Sequence, residues 1–475
     1  ATYSTDQIID ANNQSIFPGF IDAHCHFYRL GLQQKKVDLT GTTSYNEVLA
    51  KLIAFQNANK TNFITGRGWD QNDWKLKTFP TKERLDTLFP DTPVAVTRVD
   101  GHALLVNQKA LDLAGINEQT QIEGGEFIKK NGHLTGVLID NAMDFISPPL
   151  PTRQAQINAL KDAEKINFSF GLTTVDDAGL DRNTIELIDS LQQSNNLKIR
   201  IYAMVSATQN NLNYYTKKGI IKTDRLNVRS FKVYGDGALG SRGAALKASY
   251  SDRKNHYGAL IYSPERYQEI AEQIAASDYQ MNTHAIGDSA NYLMLKTYQY
   301  VLKNQADRRW RIEHAQIIDS LDFDLFKNVI PSVQPTHATS DMYWAEDRIG
   351  ADRIKGAYAF KKLLNTYGKV ALGTDYPVEE VNPFLTFYAA TARKDLNNFP
   401  KDGYQMKDVL SRIETLKGMT IWAAYSNFED HEKGSIEVGK FADFILLDQD
   451  IMKIPGHLIP KTKVVNTFIN GEKVF

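Results

Sequence analysis

Two histidines close the run Phe17-Pro-Gly-Phe-Ile-Asp-Ala-His-Cys-His26. In an extended strand successive side chains alternate between faces, so His24 and His26 share a face and Cys25 points away. Two neutral imidazoles at one strand end supply half of a tetrahedral or five-coordinate metal site. Packed against a loop, the same pair would be purely structural, so the reading depends on further ligands. Three more residues of ligating type stand in comparable settings: His284 in Thr283-His-Ala-Ile-Gly-Asp288, His314 in Arg311-Ile-Glu-His-Ala-Gln316, and Asp375 in Leu372-Gly-Thr-Asp-Tyr-Pro377. Imidazoles and a carboxylate around a divalent ion would support hydrolysis by an activated water. Cys25 is the single cysteine, which excludes an internal disulfide framework. With no histidine on its own face it reads as a small packing residue, not a nucleophile.

The elements that must position these groups recur as one unit, a short apolar strand ending in polar residues and then an amphipathic helix. Strands are expected at Ser15–His24, Leu172–Asp177, Ile199–Val205, Ser230–Asp236, Tyr279–His284, Trp310–His314, Ile330–Thr336 and Lys369–Asp375. Helical patterns lie between many of them, among them Ile185–Gln193, Glu265–Ala276, Ala290–Asn304 and Pro383–Arg393. Eight strands alternating with helices predict an α/β fold, a TIM-like (β/α)₈ barrel, whose active sites are built at the carboxyl ends of several strands. Those ends would carry His24 and His26, Asp176 and Asp177, Lys232 and Asp236, His284, His314, His337 and Asp375.

Two regions break the alternation. Residues 61–147 hold Gly66-Arg-Gly-Trp-Asp-Gln-Asn-Asp-Trp74, Arg98-Val-Asp-Gly-His102 and a hairpin-like Gly124–His133, and are expected to lie over the barrel mouth as an insertion after the first strand. Beyond Trp422 short β segments separated by turns predict a small β domain, a composite β-sandwich module that needs more strands than this tail offers. The expected organisation is therefore a remnant of that domain at 1–14, the barrel at 15–425, and the rest of the small domain at 426–475. The chain starts without Met, and Ala1–Gln14 reads as the tail of an earlier segment, so upstream residues, any export signal among them, are expected to precede it.

The 475 residues can bury a large core, and 42% hydrophobic with 23% charged residues is ordinary for a globular enzyme. A net charge of -1 argues against nucleic acid or an anionic membrane as partner, and no apolar run reaches membrane-spanning length. Cytoplasmic and exported locations both stay open, as does a homodimer.

The separated motifs, in this order, resemble the amidohydrolase superfamily over nearly the whole chain, and Gly434-Ser-Ile-Glu-Val-Gly-Lys-Phe-Ala-Asp443 looks like its composite β domain. Within it the chain is similar to the subgroup resembling N-substituted formamide deformylase (amidohydrolase family 3). The marks are Gly66-Arg-Gly-Trp-Asp70, Asp100-Gly-His102, Phe231-Lys-Val-Tyr-Gly-Asp-Gly-Ala-Leu-Gly-Ser-Arg242 and Ser332-Val-Gln-Pro-Thr-His337. The resemblance implies a metal centre of His24, His26, Lys232, His284, His314 and Asp375 holding one or two Zn²⁺ ions or another divalent metal. Lys232, near the end of the fourth strand, would be carbamylated to bridge two ions, since a carbamate is an anionic, bidentate oxygen donor. The alternative is a lysine that meets a substrate carboxylate or packs its stem in the barrel.

The implied reaction is cleavage of a non-peptide C–N bond in a small-molecule N-acyl or N-formyl amide. The metal lowers the pKa of water towards about 7, and Asp375 acts as general base and then acid. His102 could donate to the scissile carbonyl, or simply cap the insertion. Arg242 could grip a carboxylate or hold Asp236. Trp69, Trp74, Tyr234 and Trp344 could wall an acyl or aryl group, and Asp70, Asp236, His337 and Asp341 complete the substrate-binding candidates. His133, His256, His431 and His457 have no such setting. A heterocycle deaminase, or a catalytically silent barrel that binds a ligand or partner, are the competing readings.

Overall fold

The computed structural model describes residues 8–34, 36–303 and 306–475. Its centre is a nearly closed barrel of eight parallel strands: β1 (Phe20–Cys25), β2 (Leu172–Leu180), β3 (Arg200–Ser206), β4 (Leu226–Tyr234), β5 (Gln280–Ala285), β6 (Arg311–His314), β7 (Ile330–Val333) and β8 (Ala371–Leu372), paired in that order. Every residue of β1 is buried, as a strand sandwiched between barrel interior and helices requires. The seam between β1 and β8 is closed just beyond β8. There the Asp375 N–H donates to His24 O at 2.8 Å, the His26 N–H donates to Tyr376 O at 2.8 Å, and the Asp22 carboxylate accepts from the Thr374 hydroxyl at 2.7 Å.

The barrel is not filled with branched aliphatics alone. A fully buried guanidinium, Arg311, donates to Glu313 at 2.8 Å, Asp176 at 2.9 Å, Ser426 Oγ at 2.9 Å and Asn427 Oδ1 at 3.1 Å. Ser426 ends the helix Ile421–Ser426, which stops the amino-terminal end of the barrel; the Gln280 amide also donates to Ser426 O, at 2.8 Å. Buried charge is tolerated here because each lone pair and N–H finds a partner.

Three predicted elements differ. The single strand expected over Ser15–His24 is two: Ser15–Pro18 pairs antiparallel with Phe444–Leu447 in a four-stranded sheet with Val464–Ile469 and Glu472–Lys473, and Gly19 separates it from β1. A Cβ on Gly19 would fall 2.3 Å from the Thr173 hydroxyl, so the chain passes between sheets only with glycine there. The expected remnant at 1–14 has no strand in 8–14, and residues 1–7 lie outside the described residues. The seventh strand stops at Val333, because Pro335 opens a helix, Pro335–Asp341, in the first-turn position that suits it. His337 and Asp341 are therefore helical residues one turn apart, not strand ends. The region between β1 and β2 forms its own six-stranded mixed sheet, whose core includes Trp69, Trp74 and Val96. Among the described residues no helix is long and apolar enough to cross a membrane.

Candidate metal centre and active site

At the carboxyl ends of the barrel strands, ligand atoms of His24, His314 and Asp375 lie within 4.8 Å of one another, all buried. His26 Nε2 is 3.4 Å from Asp375 Oδ1, and Lys232 Nζ is 3.0 Å from His24 Nε2. The His284 ring centroid is 4.6 Å from that of His314. Strand alternation alone does not produce this cluster. It points Arg311 and Glu313 into the barrel and would send His314 outward, but His314 has φ 72° and its ring turns to the mouth. Asp375 likewise sits at φ 62°, three residues beyond β8. Left-handed backbone costs a non-glycine residue about 1–3 kcal/mol and persists where surrounding contacts over-determine it.

The second row of contacts fixes which nitrogens face the mouth. His24 Nδ1 lies 2.6 Å from Glu313 Oε2. Burial would raise the Glu313 pKa, but Arg311 and His24 overcome this and hold the carboxyl well below its usual range. An ionised carboxylate only accepts, so His24 Nδ1 carries the proton. His26 Nδ1 donates to the Ala178 carbonyl at 2.9 Å, and His314 Nδ1 to Gln334 Oε1 at 2.7 Å. All three therefore aim Nε2 lone pairs at the mouth, which is the tautomer a metal needs. Burial keeps the rings neutral: the His26 pKa is lowered to about 3, and those of His284 and His314 fall well below the ordinary value. Burial alone would raise Asp375, yet the proximity of His26, His24 and His314 outweighs it and holds the carboxyl well below its usual range. Asp375 Oδ1 and His284 Nε2 are buried without hydrogen-bond partners. Orphaned acceptors, neutral imidazoles and one carboxylate are the donor set of a divalent cation. Lys232, 1% exposed, has its pKa lowered to about 8 by burial.

Above the cluster opens a cavity of about 1320 Å³, shared between barrel mouth and insertion. From the insertion, Arg98 forms ion pairs with Asp70 and Asp100, and His102 Nδ1 lies 2.6 Å from Asp140 Oδ1. His102 feels burial first, which lowers its pKa, but the hydrogen bond and charge of Asp140, with Asp100, win and raise it. Asp140 is itself at φ 48°, and its carboxylate fills space left by Gly237 and Gly243, where a Cβ would come within 2.6 Å of Oδ2.

The other candidates divide. Tyr234, Asp236, His337, Asp341 and Trp344 line the cavity. Asp236 accepts backbone N–H groups from Ala245, Ile286 and Gly287 at 2.8–2.9 Å, and burial raises its pKa to about 7. Asp341 accepts from the Tyr358 hydroxyl at 2.7 Å. Trp69 and Trp74 stand away from the cavity: their indole N–H groups donate to Val96 O at 2.8 Å and Thr42 O at 2.9 Å inside the insertion. Arg242 pairs with Asp252 at 2.8 Å rather than with Asp236, and does not reach the cavity wall. Cys25 packs in the main hydrophobic core, and burial raises its thiol pKa far above the usual value. Glu313, Gln334 and Asp140 escaped the sequence reading. The alternation Arg311-Ile-Glu313 on a strand buried on both faces was the one available signal, since a buried charge pair two residues apart must point inward.

The amidohydrolase family profile matches residues 7–475. Protein LONG AFTER FAR-RED 3 of Arabidopsis thaliana is 30% identical over 492 residues, spanning 98% of this chain and 83% of the relative. N-substituted formamide deformylase of Arthrobacter pascens is 23% identical over 496 residues, with 98% and 89% covered. The crystal structure of an uncharacterised metal-dependent hydrolase from Pyrococcus horikoshii OT3 superposes with a TM-score of 0.76 at 26% identity, covering 94% of this chain and 89% of that one. Profile, relatives and fold converge with the mouth geometry, and the chain belongs to the amidohydrolase family as a metal-dependent hydrolase.

Proposed function

We propose that this chain hydrolyses the C–N bond of a small non-peptide amide, an N-acyl or N-formyl compound, with zinc as its metal. The observation that carries the reading is the set of Nε2 atoms of His24, His26 and His314 turned by their Nδ1 partners towards one orphaned carboxylate oxygen of Asp375. The relative that acts on N-substituted formamides supports the amide class.

His24, His26, His284, His314 and Asp375 would hold the metal, with Lys232 as a carbamate if a second ion is present. When bound, the metal lowers the pKa of water to about 7 and polarises a carbonyl oxygen. Asp375 is ionised and close to the imidazoles, so it accepts the proton from the attacking water and returns it to the departing nitrogen. Asp140 favours the charged form of His102, whose second N–H then stabilises negative charge developing on the scissile oxygen. Burial leaves the Lys232 amine a neutral fraction near neutral pH, the form that adds carbon dioxide. Walls from the insertion exclude bulk water from the reacting bond.

The test pairs metal analysis with a panel of N-acyl amino acids, N-formyl amines and cyclic ureides, following amine release. Bound zinc and release from an open-chain amide are expected. Release confined to the ureides, or a metal-free protein that hydrolyses nothing after zinc loading, sinks the assignment.

A further inference from the structure

The charged groups on the cavity walls are unevenly matched. Asp70 and Asp100 are held by Arg98, Asp140 by His102, and Asp236 by three backbone N–H groups. Arg67 breaks the pattern. It lines the cavity and is only 5% exposed, yet among the described residues no carboxylate comes within 4.0 Å of its guanidinium. Its hydrogen bond runs from Nη2 to the Val99 carbonyl oxygen at 2.6 Å, and Nε is buried with no partner. Gly101, at φ 82°, makes room for it: a Cβ there would lie 3.1 Å from Nη1. Burial and the charge of Arg29 push the Arg67 pKa down to about 10, against the weaker pull of Asp100 and Asp375. Arg29 and Lys36 line the same cavity, and neither is paired with a carboxylate among the described residues.

A buried guanidinium without a counter-charge is costly, and its planar fork matches a carboxylate in a bidentate pair. Arg67 and Asp375 line the same cavity, so one ligand can reach both. We propose that Arg67 anchors a carboxylate on the non-reacting part of the substrate, so that the preferred substrates are amides that carry a free acid group. This rests on the amide reading above.

The experiment uses zinc-loaded protein and matched pairs that differ in one group, N-acyl amino acids and their neutral carboxamides, with amine release followed for both. Binding is read separately by calorimetry on ketone isosteres of the same pairs, in which CH₂ replaces the amide nitrogen and nothing is cleaved. The wild type is expected to favour the acid by at least about 10-fold in both readouts, the range of a hydrogen bond between charged groups. Arg67→Met should erase that preference through KM, and Arg67→Lys should keep part of it. No acid preference anywhere in the panel, or a preference that survives both variants, overturns the anchor. If the Met variant does not fold, an unchanged preference in Arg67→Lys is enough to overturn it. Acid-selective isostere binding without turnover of any amide would leave the anchor standing and remove the amide reading. Turnover of amides without acid selectivity would do the reverse.

Discussion

The floor of the cavity and its wall are each organised around one buried arginine, and the two differ in what they leave free. On the floor, Arg311 ties Glu313 and Asp176 beneath the mouth, and Glu313 in turn fixes His24. Its arrangement ends in unpartnered polar atoms, Asp375 Oδ1 and His284 Nε2, where a cation would fit. On the wall, Arg98 ties Asp70 and Asp100, and Asp140 ties His102. That arrangement largely satisfies itself and presents donors, His102 and the exceptional Arg67. On the proposed reading the floor holds the metal and moves the proton, and the wall orients the organic part of a substrate. Removing a group should therefore do different things in the two places.

The sharpest break is at Asp375. Asp375→Asn is expected to lower kcat by about 10²–10⁴-fold while zinc content stays near wild type, since the amide keeps an oxygen ligand and loses the basic one. Retained turnover would end its role as base. One layer below, Glu313→Gln is expected to weaken zinc affinity by about 10–100-fold, read by chelator competition, because an uncharged acceptor holds His24 Nδ1–H less firmly. Unchanged affinity would mean the floor is structural and not tuned to the metal.

The wall counterpart is Asp140→Asn. It should leave zinc content untouched, lower kcat by about 10-fold and change KM little, with the loss greatest between the variant's lowered His102 pKa and the raised wild-type one, where only the wild-type ring is charged. A change in zinc content instead would dissolve the distinction between floor and wall. The smallest effect concerns Asp177, at the edge of the floor, which accepts the Tyr28 N–H at 2.9 Å and whose pKa burial raises to about 7. A carboxyl with a folded pKa above its unfolded value binds more protons when folded between the two. Its contribution is thus present below about 4 and is lost as pH rises to about 7. Relative to wild type, Asp177→Asn should gain a few degrees in Tm at pH 8 compared with pH 5 in melts at both pH values; an equal offset at both would contradict it.

Much of this was legible in the chain. Apolar runs ending in polar residues and alternating with helical patterns predict the eight strands of the barrel, and they form in that order. The misreadings have local causes. Trp69 and Trp74 sit beside glycine and acidic residues and look like a binding loop, but the insertion has its own sheet and needed their bulk for a core. Arg242 follows a Gly-rich run towards the mouth, yet Asp252, ten residues on, was the nearer charge. His337 read as a strand end because Gln334, before the helix that opens on Pro335, makes no side-chain cap and turns to His314 instead.

By itself the sequence determined the barrel and the ligating residue types, because periodicity and strand-end chemistry are local properties of a chain. Only the tertiary structure decided which nitrogens of His24, His26 and His314 face the mouth, which carboxylates are already spent on arginines, and which cations line the cavity without a carboxylate among the described residues. Those depend on partners up to hundreds of residues distant, such as Glu313 for His24, and on left-handed backbone at His314 and Asp375 that tertiary contacts sustain.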